Sequence, residues 1–181
     1  RHQVELVVIL EPKQKAHRTA DFARRMGFAN CLNGSPSNSQ IWLFWKSDIV
    51  INLVDCSSQH MTSNISVGGM SCLFSSVYAK CDAAGRNELW ERLSSFNAGD
   101  SAWFIAGDFN SVSEDSEKKG GSRVSIGAMQ DFRDFLSSNG LMDLGFSGSK
   151  FTWCNNRRGP HRVWCRLGRC LANLKGVDSF P

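Results

Sequence analysis

The decapeptide WFIAGDFNSV, residues 103–112, runs from an apolar strand directly into Gly107-Asp108-Phe109-Asn110. Side chains alternate along an extended chain, so Asp108 and Asn110 project to the same side at the strand's mouth. One presents negative charge, the other neutral donors and acceptors. That pair suits a hard cation with a phosphate beside it. Asp and Asn also favour strand exits for local hydrogen bonds. The tetrapeptide alone therefore leaves a turn and a site both open.

Working outward, Val4–Leu10 reads as a buried strand, apolar after Glu5 and broken by Pro12. Lys15–Met26 reads as a helix closed by Gly27, with Ala16, Ala20, Ala23, Phe22 and Met26 on its apolar side. Asn33–Gln40 is turn chemistry throughout. Ile41–Trp45 and Ile49–Asp55 read as a hairpin around Lys46-Ser47-Asp48. Residues 59–66 and Cys72–Ala79 are further strands. Asn87–Phe96 is an amphipathic helix, with Leu89, Trp90, Leu93 and Phe96 on one stripe. Ala102–Gly107 is the next strand, and 111–127 a loop long enough to carry function. Met129, Phe132, Phe135 and Leu136 mark a helix ended by Gly140. Phe151–Cys154 and Val163–Leu167 form a final strand pair around Asn155–Pro160. Roughly eight strands and three helices predict a layered α/β protein with mixed or antiparallel sheets.

With 181 residues, 41% of them hydrophobic, the chain is long enough for one globular domain with a real core, spanning 1–181. No run of eighteen apolar residues offers a transmembrane span, and no leader pattern is present, so no membrane partner is expected. Seven cysteines, an odd number, then read as reduced thiols in a nuclear or cytoplasmic, not secreted, protein. Cys154, His161, Cys165 and Cys170 lack a C-x-x-C pair and match no familiar zinc spacing. Net charge is only +4, yet Lys150, Arg157, Arg158, Arg162, Arg166, Arg169 and Lys175 follow one another with no acid before Asp178, and Trp153 and Trp164 lie among them. Such a stripe suits a polyanion, and equally a solvated surface balanced by acids elsewhere.

Glu11 lies just past the first strand, Tyr78 closes another, and Asp108 and Asn110 leave a third. Strand ends gather at one edge of a layered α/β fold, where sites are built. Two carboxylates, an amide and a phenol there suit a Mg²⁺-assisted phosphodiester site. Singly, Tyr78 also reads as a core aromatic and Glu11 as an exposed acid.

Together LVVILEPK (6–13), SSVYA (75–79), WFIAGDFNSV and LMDLGFSGSKFTWCNNRRGPHRVWCRLGRCLAN (141–173) resemble the endonuclease/exonuclease/phosphatase superfamily. The sequence is most similar to the apurinic-type endonuclease domain of plant LINE (non-LTR) retrotransposons. The resemblance implies a layered α/β/β/α sandwich, here incomplete at its N- and C-terminal edges. It implies Mg²⁺ held by Glu11, a scissile phosphate contacted by Tyr78, a water positioned by Asp108 and a phosphate or leaving side held by Asn110. It further implies DNA nicking, with Trp153, Arg157, Arg158, Arg162 and Arg166 along the DNA backbone and a parent polyprotein carrying reverse transcriptase.

The departures set a limit. The family's R-x-D segment reads Arg166-Leu167-Gly168 here, so the carboxylate that orients a catalytic histidine is missing. The chain starts after the family's Asn-bearing strand and stops before its Ser-Asp-His. His2, His17, His60 and His161 match none of the family's contexts. The expectation is a degenerate or truncated copy with weak or no activity. A non-catalytic nucleic-acid-binding remnant is the alternative, and a phosphoinositide or small-phosphoester phosphatase stands further back.

Overall fold

The structure, a computed structural model, describes residues 4–34, 40–96, 99 and 101–179. It divides into two compact units, Arg1–Tyr78 and Ala79–Pro181.

In the first unit, β1 (Leu6–Leu10) and β2 (Asn30–Leu32) flank β3 (Ile41–Trp45) in an antiparallel sheet. β3 carries Ile-Trp-Leu-Phe-Trp because both its faces are covered, and Ile41, Trp42, Leu43 and Phe44 are all fully buried. α1 (Thr19–Arg25) follows a short 3-10 turn at Ala16–Arg18, and Ala23 and Phe22 pack on Trp42 and Phe44. β1 begins at Leu6 and is half-buried rather than buried. Most of the turn expected across Asn33–Gln40 lies outside the described residues.

β4 (Val50–Cys56), β5 (His60–Val67) and β6 (Met70–Tyr78) form an antiparallel meander. The hairpin expected between Ile41–Trp45 and Ile49–Asp55 is therefore corrected. β3 pairs with β1 and β2, while β4 pairs with β5. Composition explains the separation: β3 is apolar on both faces, whereas β4 exposes Val50, Leu53 and Val54 at a sheet edge. β5 and β6 meet at Gly68-Gly69, both with positive φ, as a tight two-residue turn demands.

The second unit begins with α2 (Ala83–Ser94), whose first turn is capped by Asp82 accepting from Gly85 N–H at 2.8 Å. β7 (Trp103–Asp108) follows, then β8 (Lys118–Lys119) inside the expected 111–127 loop, α3 (Ile126–Ser138) and β9 (Leu141–Asp143). β10 (Trp153–Cys154) and β11 (Trp164–Cys165) form the predicted final hairpin. β12 (Gly168–Asn173) runs between β7 and β9, all antiparallel, and α4 (Leu174–Ser179) closes the described chain. Asn173 ties these pieces together, its Oδ1 accepting from Trp103 N–H at 2.9 Å and from Gly176 N–H at 2.8 Å.

β8 pairs with β11, so the long loop is held down rather than free. Two glycines allow it. A Cβ on Gly120 would lie 2.3 Å from the Arg162 carbonyl oxygen, and Gly120 has φ of 84°. Gly120→Ala is expected to lose about 1–2 kcal/mol from left-handed backbone alone, with the contact adding to it. A thermal melt checks this, because a downward shift of several degrees is expected from about 2–4 °C per kcal/mol.

Candidate active site

Phe109 decides how the strand exit presents its side chains. It is fully buried against Trp90 and Phe132, with ring centroids 6.1 and 5.5 Å away, and its N–H donates to Leu167 O at 2.9 Å. Asp108 and Asn110 flank it. Asp108 Oδ1 accepts from Asn110 N–H at 2.8 Å, closing an Asx turn, and Asn110 holds a positive φ of 45°. Asn110 Nδ2 donates to Ala79 O at 2.6 Å, while Ala79 N–H donates to Asp108 O at 2.8 Å. The turn and the polar mouth are thus one structure, with both side chains fixed by the local backbone.

In the first unit, Glu11 leaves β1 exposed, with φ of 49° and its N–H on Gln40 O at 2.9 Å. Tyr78 ends β6 half-buried, its N–H on Gln59 O at 2.8 Å. Leu10, the residue before Glu11, and Tyr78 pack on one cluster of Ile41, Leu43 and Met61. Within this unit the two strand ends therefore share a common apolar support.

Sequence reasoning passed over a knot at the β4–β5 turn. His60 is fully buried, with Nδ1 2.7 Å from Ser57 Oγ and Nε2 3.2 Å from Asp55 Oδ2. Gln59 N–H also donates to Ser57 Oγ at 3.2 Å. A serine hydroxyl that accepts there and donates to Nδ1 leaves Nε2–H for the carboxylate, so one neutral tautomer satisfies every contact. Because Gln59 O receives the Tyr78 N–H, this knot steadies the end of β6. The signal was only the close spacing of Asp55, Ser57 and His60.

The basic stripe does not stay together. Arg166 and Arg169 turn inward, where Arg169 grips Glu117 through two hydrogen bonds of 3.0 and 2.9 Å. Arg166 bonds Glu117 Oε1 at 2.9 Å and Asp143 Oδ1 at 2.7 Å. Arg166 is only 8% exposed, which corrects its expected position along an open cationic surface. Its charge is matched by buried Glu117 and half-buried Asp143, which no local sequence window contains. Burial raises the Glu117 pKa, but hydrogen bonds from Arg169 and Ser113 outweigh it and hold the carboxyl at about 2 against an ordinary 4.5. Arg157, Arg158 and Arg162 remain exposed, and Trp153 is 43% exposed.

Gly168 lies directly opposite Asp108 in the β12–β7 register. A Cβ there would meet Thr152 Oγ1 at 3.5 Å, an ordinary contact. Space for a side chain exists, and the sequence leaves it unfilled. Among the described residues, no group of three or more His, Cys, Asp or Glu is gathered to hold a metal, and no helix is long and apolar enough to cross a membrane.

No protein-family model matches the sequence, and none of the curated proteins does. Solved structures do. The endonuclease domain of TRAS1, a telomere-specific non-LTR retrotransposon, matches with TM-score 0.69 and 14% identity over 97% of this chain and 88% of that one. The 3′ phosphatase NExo from Neisseria, bound to product DNA hairpin, gives TM-score 0.66 and 16% identity over 94% and 76%. D. rerio TDP2, complexed with single strand DNA product, gives 0.61 and 13% over 93% and 70%. At these identities the likeness is one of architecture, and the fold of this chain is of the endonuclease/exonuclease/phosphatase type.

Proposed function

We propose that the chain is a Mg²⁺-dependent phosphodiester hydrolase of the DNA-nicking kind, with weak or no turnover. One observation carries the reading: a hydrogen-bonded strand exit fixes the half-buried Asp108 and Asn110 on either side of a buried Phe109, in a fold shared with an endonuclease domain and two proteins captured with DNA products. Glu11 and Tyr78 complete the proposed set. Ala79, bonded to both Asp108 and Asn110, directly follows Tyr78 in the chain, which favours including the phenol.

The donors fit magnesium, which takes hard oxygen ligands, accepts one or two carboxylates and keeps several waters. When bound, the ion supplies charge stabilisation at the phosphoryl oxygens. Glu11 would hold it through its exposed carboxylate. Asp108 orients the attacking water and draws on its proton. Tyr78 donates its hydroxyl to a phosphate oxygen. Asn110, with one amide hydrogen fixed on Ala79 O, offers the second to the same group. Exposed Arg157, Arg158 and Arg162 and Trp153 would follow the DNA backbone.

Low turnover follows from Gly168, because the strand position facing Asp108 lacks the carboxylate that the family resemblance calls for. Acid–base help of that kind contributes about 10²–10⁴-fold. A place within a retrotransposon polyprotein bearing reverse transcriptase belongs to the same proposal. In a supercoiled-plasmid assay with Mg²⁺, slow nicking is expected, falling at least tenfold to background in Asp108→Ala. Rapid nicking abolished by that substitution would refute the weak-turnover part. Nicking indifferent to it would refute the site. Salt-sensitive binding without cleavage would favour a non-catalytic nucleic-acid binder, in which the Asx turn is Asp108's whole role.

A further inference from the structure

The exposed cations of the β10–β11 arm have companions that the sequence separates by more than thirty residues. Loop 118–123 contributes Lys118, Lys119 and Arg123 through the pairing of β8 with β11. Gly120 and Gly121 bring that loop onto the arm: a Cβ on Gly120 would strike the Arg162 carbonyl, and one on Gly121 would lie 2.9 Å from the Val163 side chain. Between Asp115 and Val124 opens a cleft of about 340 Å³, lined by Lys118, Gly120, Gly121, Ser122 and Arg123. Lys118 Nζ donates to Ser122 O at 2.7 Å, which holds the ammonium at the rim. The acids nearby are few. Asp115 lines the cleft, and Glu114 binds Ser116 Oγ at 2.6 Å with Lys150 at 3.9 Å. Glu117 is buried and already matched by the two inward arginines. One aromatic ring lies among these cations, with the Arg162 guanidinium 5.6 Å from the Trp164 ring, while Trp153 is exposed on the other face of the arm.

We infer that the cleft of loop 118–123 and the arm bearing Arg157, Arg158 and Arg162 form one continuous phosphate-binding face for nucleic acid. It rests on the DNA-directed reading above and adds to it a second contact element, on the loop that leaves Asn110. Cations on two paired elements match a charged nucleic-acid backbone. The contacts are to phosphate, so affinity is indifferent to base sequence and falls with salt.

The test uses the whole chain in EDTA with a fluorescein-labelled duplex of mixed sequence, followed by anisotropy from 50 to 300 mM NaCl. Three proteins are compared: wild type, Lys119→Gln with Arg123→Gln, and Arg157→Gln with Arg158→Gln. Circular dichroism confirms that each is folded. Each pair is expected to reduce the slope of log affinity against log salt by about 1.8, since each lost phosphate contact removes about 0.9. A loop pair that keeps wild-type slope and affinity overturns the inference, even if the arm pair weakens binding. Equal competition by polyglutamate and by unlabelled DNA also overturns it. The two readings fail separately: nicking with an unaffected loop pair removes only this inference, whereas predicted slopes without nicking remove only hydrolysis.

Discussion

Glu117→Gln is expected to lower the unfolding free energy by about 3–5 kcal/mol at pH 7, as breaking a buried ion pair from one side does. Glu117 is 2% exposed and receives Arg166, both terminal nitrogens of Arg169, and the backbone and hydroxyl of Ser113. Neutral glutamine leaves two buried guanidinium groups facing Asp143 alone. It also replaces an acceptor oxygen with an amide donor pointed at an arginine, so the conservative shape gives no relief. The wild type should carry a matching pH dependence. The Glu117 pKa is depressed to about 2 from 4.5, so its contribution is complete above about pH 4.5 and disappears as pH falls toward 2. Urea titrations at pH 7, 4 and 3 check both statements. The wild type should lose stability across that window, and Glu117→Gln should lack this component of the loss. Equal pH dependence in both proteins would show that the network does not hold Glu117 ionised.

Phe109→Ala should cost a similar amount by a different route, about 3–5 kcal/mol independent of pH. Its ring is fully buried among Trp90 and Phe132, and Arg169 lies over Phe132 at 5.1 Å. Removing it opens a cavity beside β7 and frees the turn that fixes Asp108 and Asn110. Phe109→Leu keeps most of the volume and should cost less than about 1.5 kcal/mol. Guanidinium unfolding separates the two. An alanine variant as stable as the leucine variant would mean that this cluster relaxes around the gap, and that Phe109 does not set the strand exit.

Much of the local structure was legible because it follows short-range rules. The GDFN exit, the two amphipathic helices and the β10–β11 hairpin each announce themselves within a few residues. β12 did not. Its sequence, Gly-Arg-Cys-Leu-Ala-Asn, places arginine where an alternating strand would bury an apolar residue, and only Glu117 and Asp143, far away in sequence, make that burial tolerable. The same long-range neutralisation withdrew Arg166 and Arg169 from the basic stripe. The false hairpin of β3 with β4 had another cause: periodicity identifies strands but not partners, and a strand buried on both faces needs neighbours on both sides. At the proposed site, the turn at Asp108 and Asn110 was readable from the preference of these residues for strand exits, whereas strict alternation stops at Asp108, because Asn110 holds a positive φ. The knot of Asp55, Ser57 and His60 was not, since its meaning lies in the β5–β6 ladder that it closes.

The proposal most directly open to test is that the cation held by Glu11 works with Asp108. Iron(II) substituted for magnesium, with ascorbate and peroxide, generates radicals that cut the backbone beside the metal, and sequencing the fragments locates it. The account predicts cuts next to Glu11 and next to Asp108, both suppressed by excess Mg²⁺ and both lost in Glu11→Ala. Cutting at only one of the two positions, or cutting that magnesium does not suppress, would contradict it.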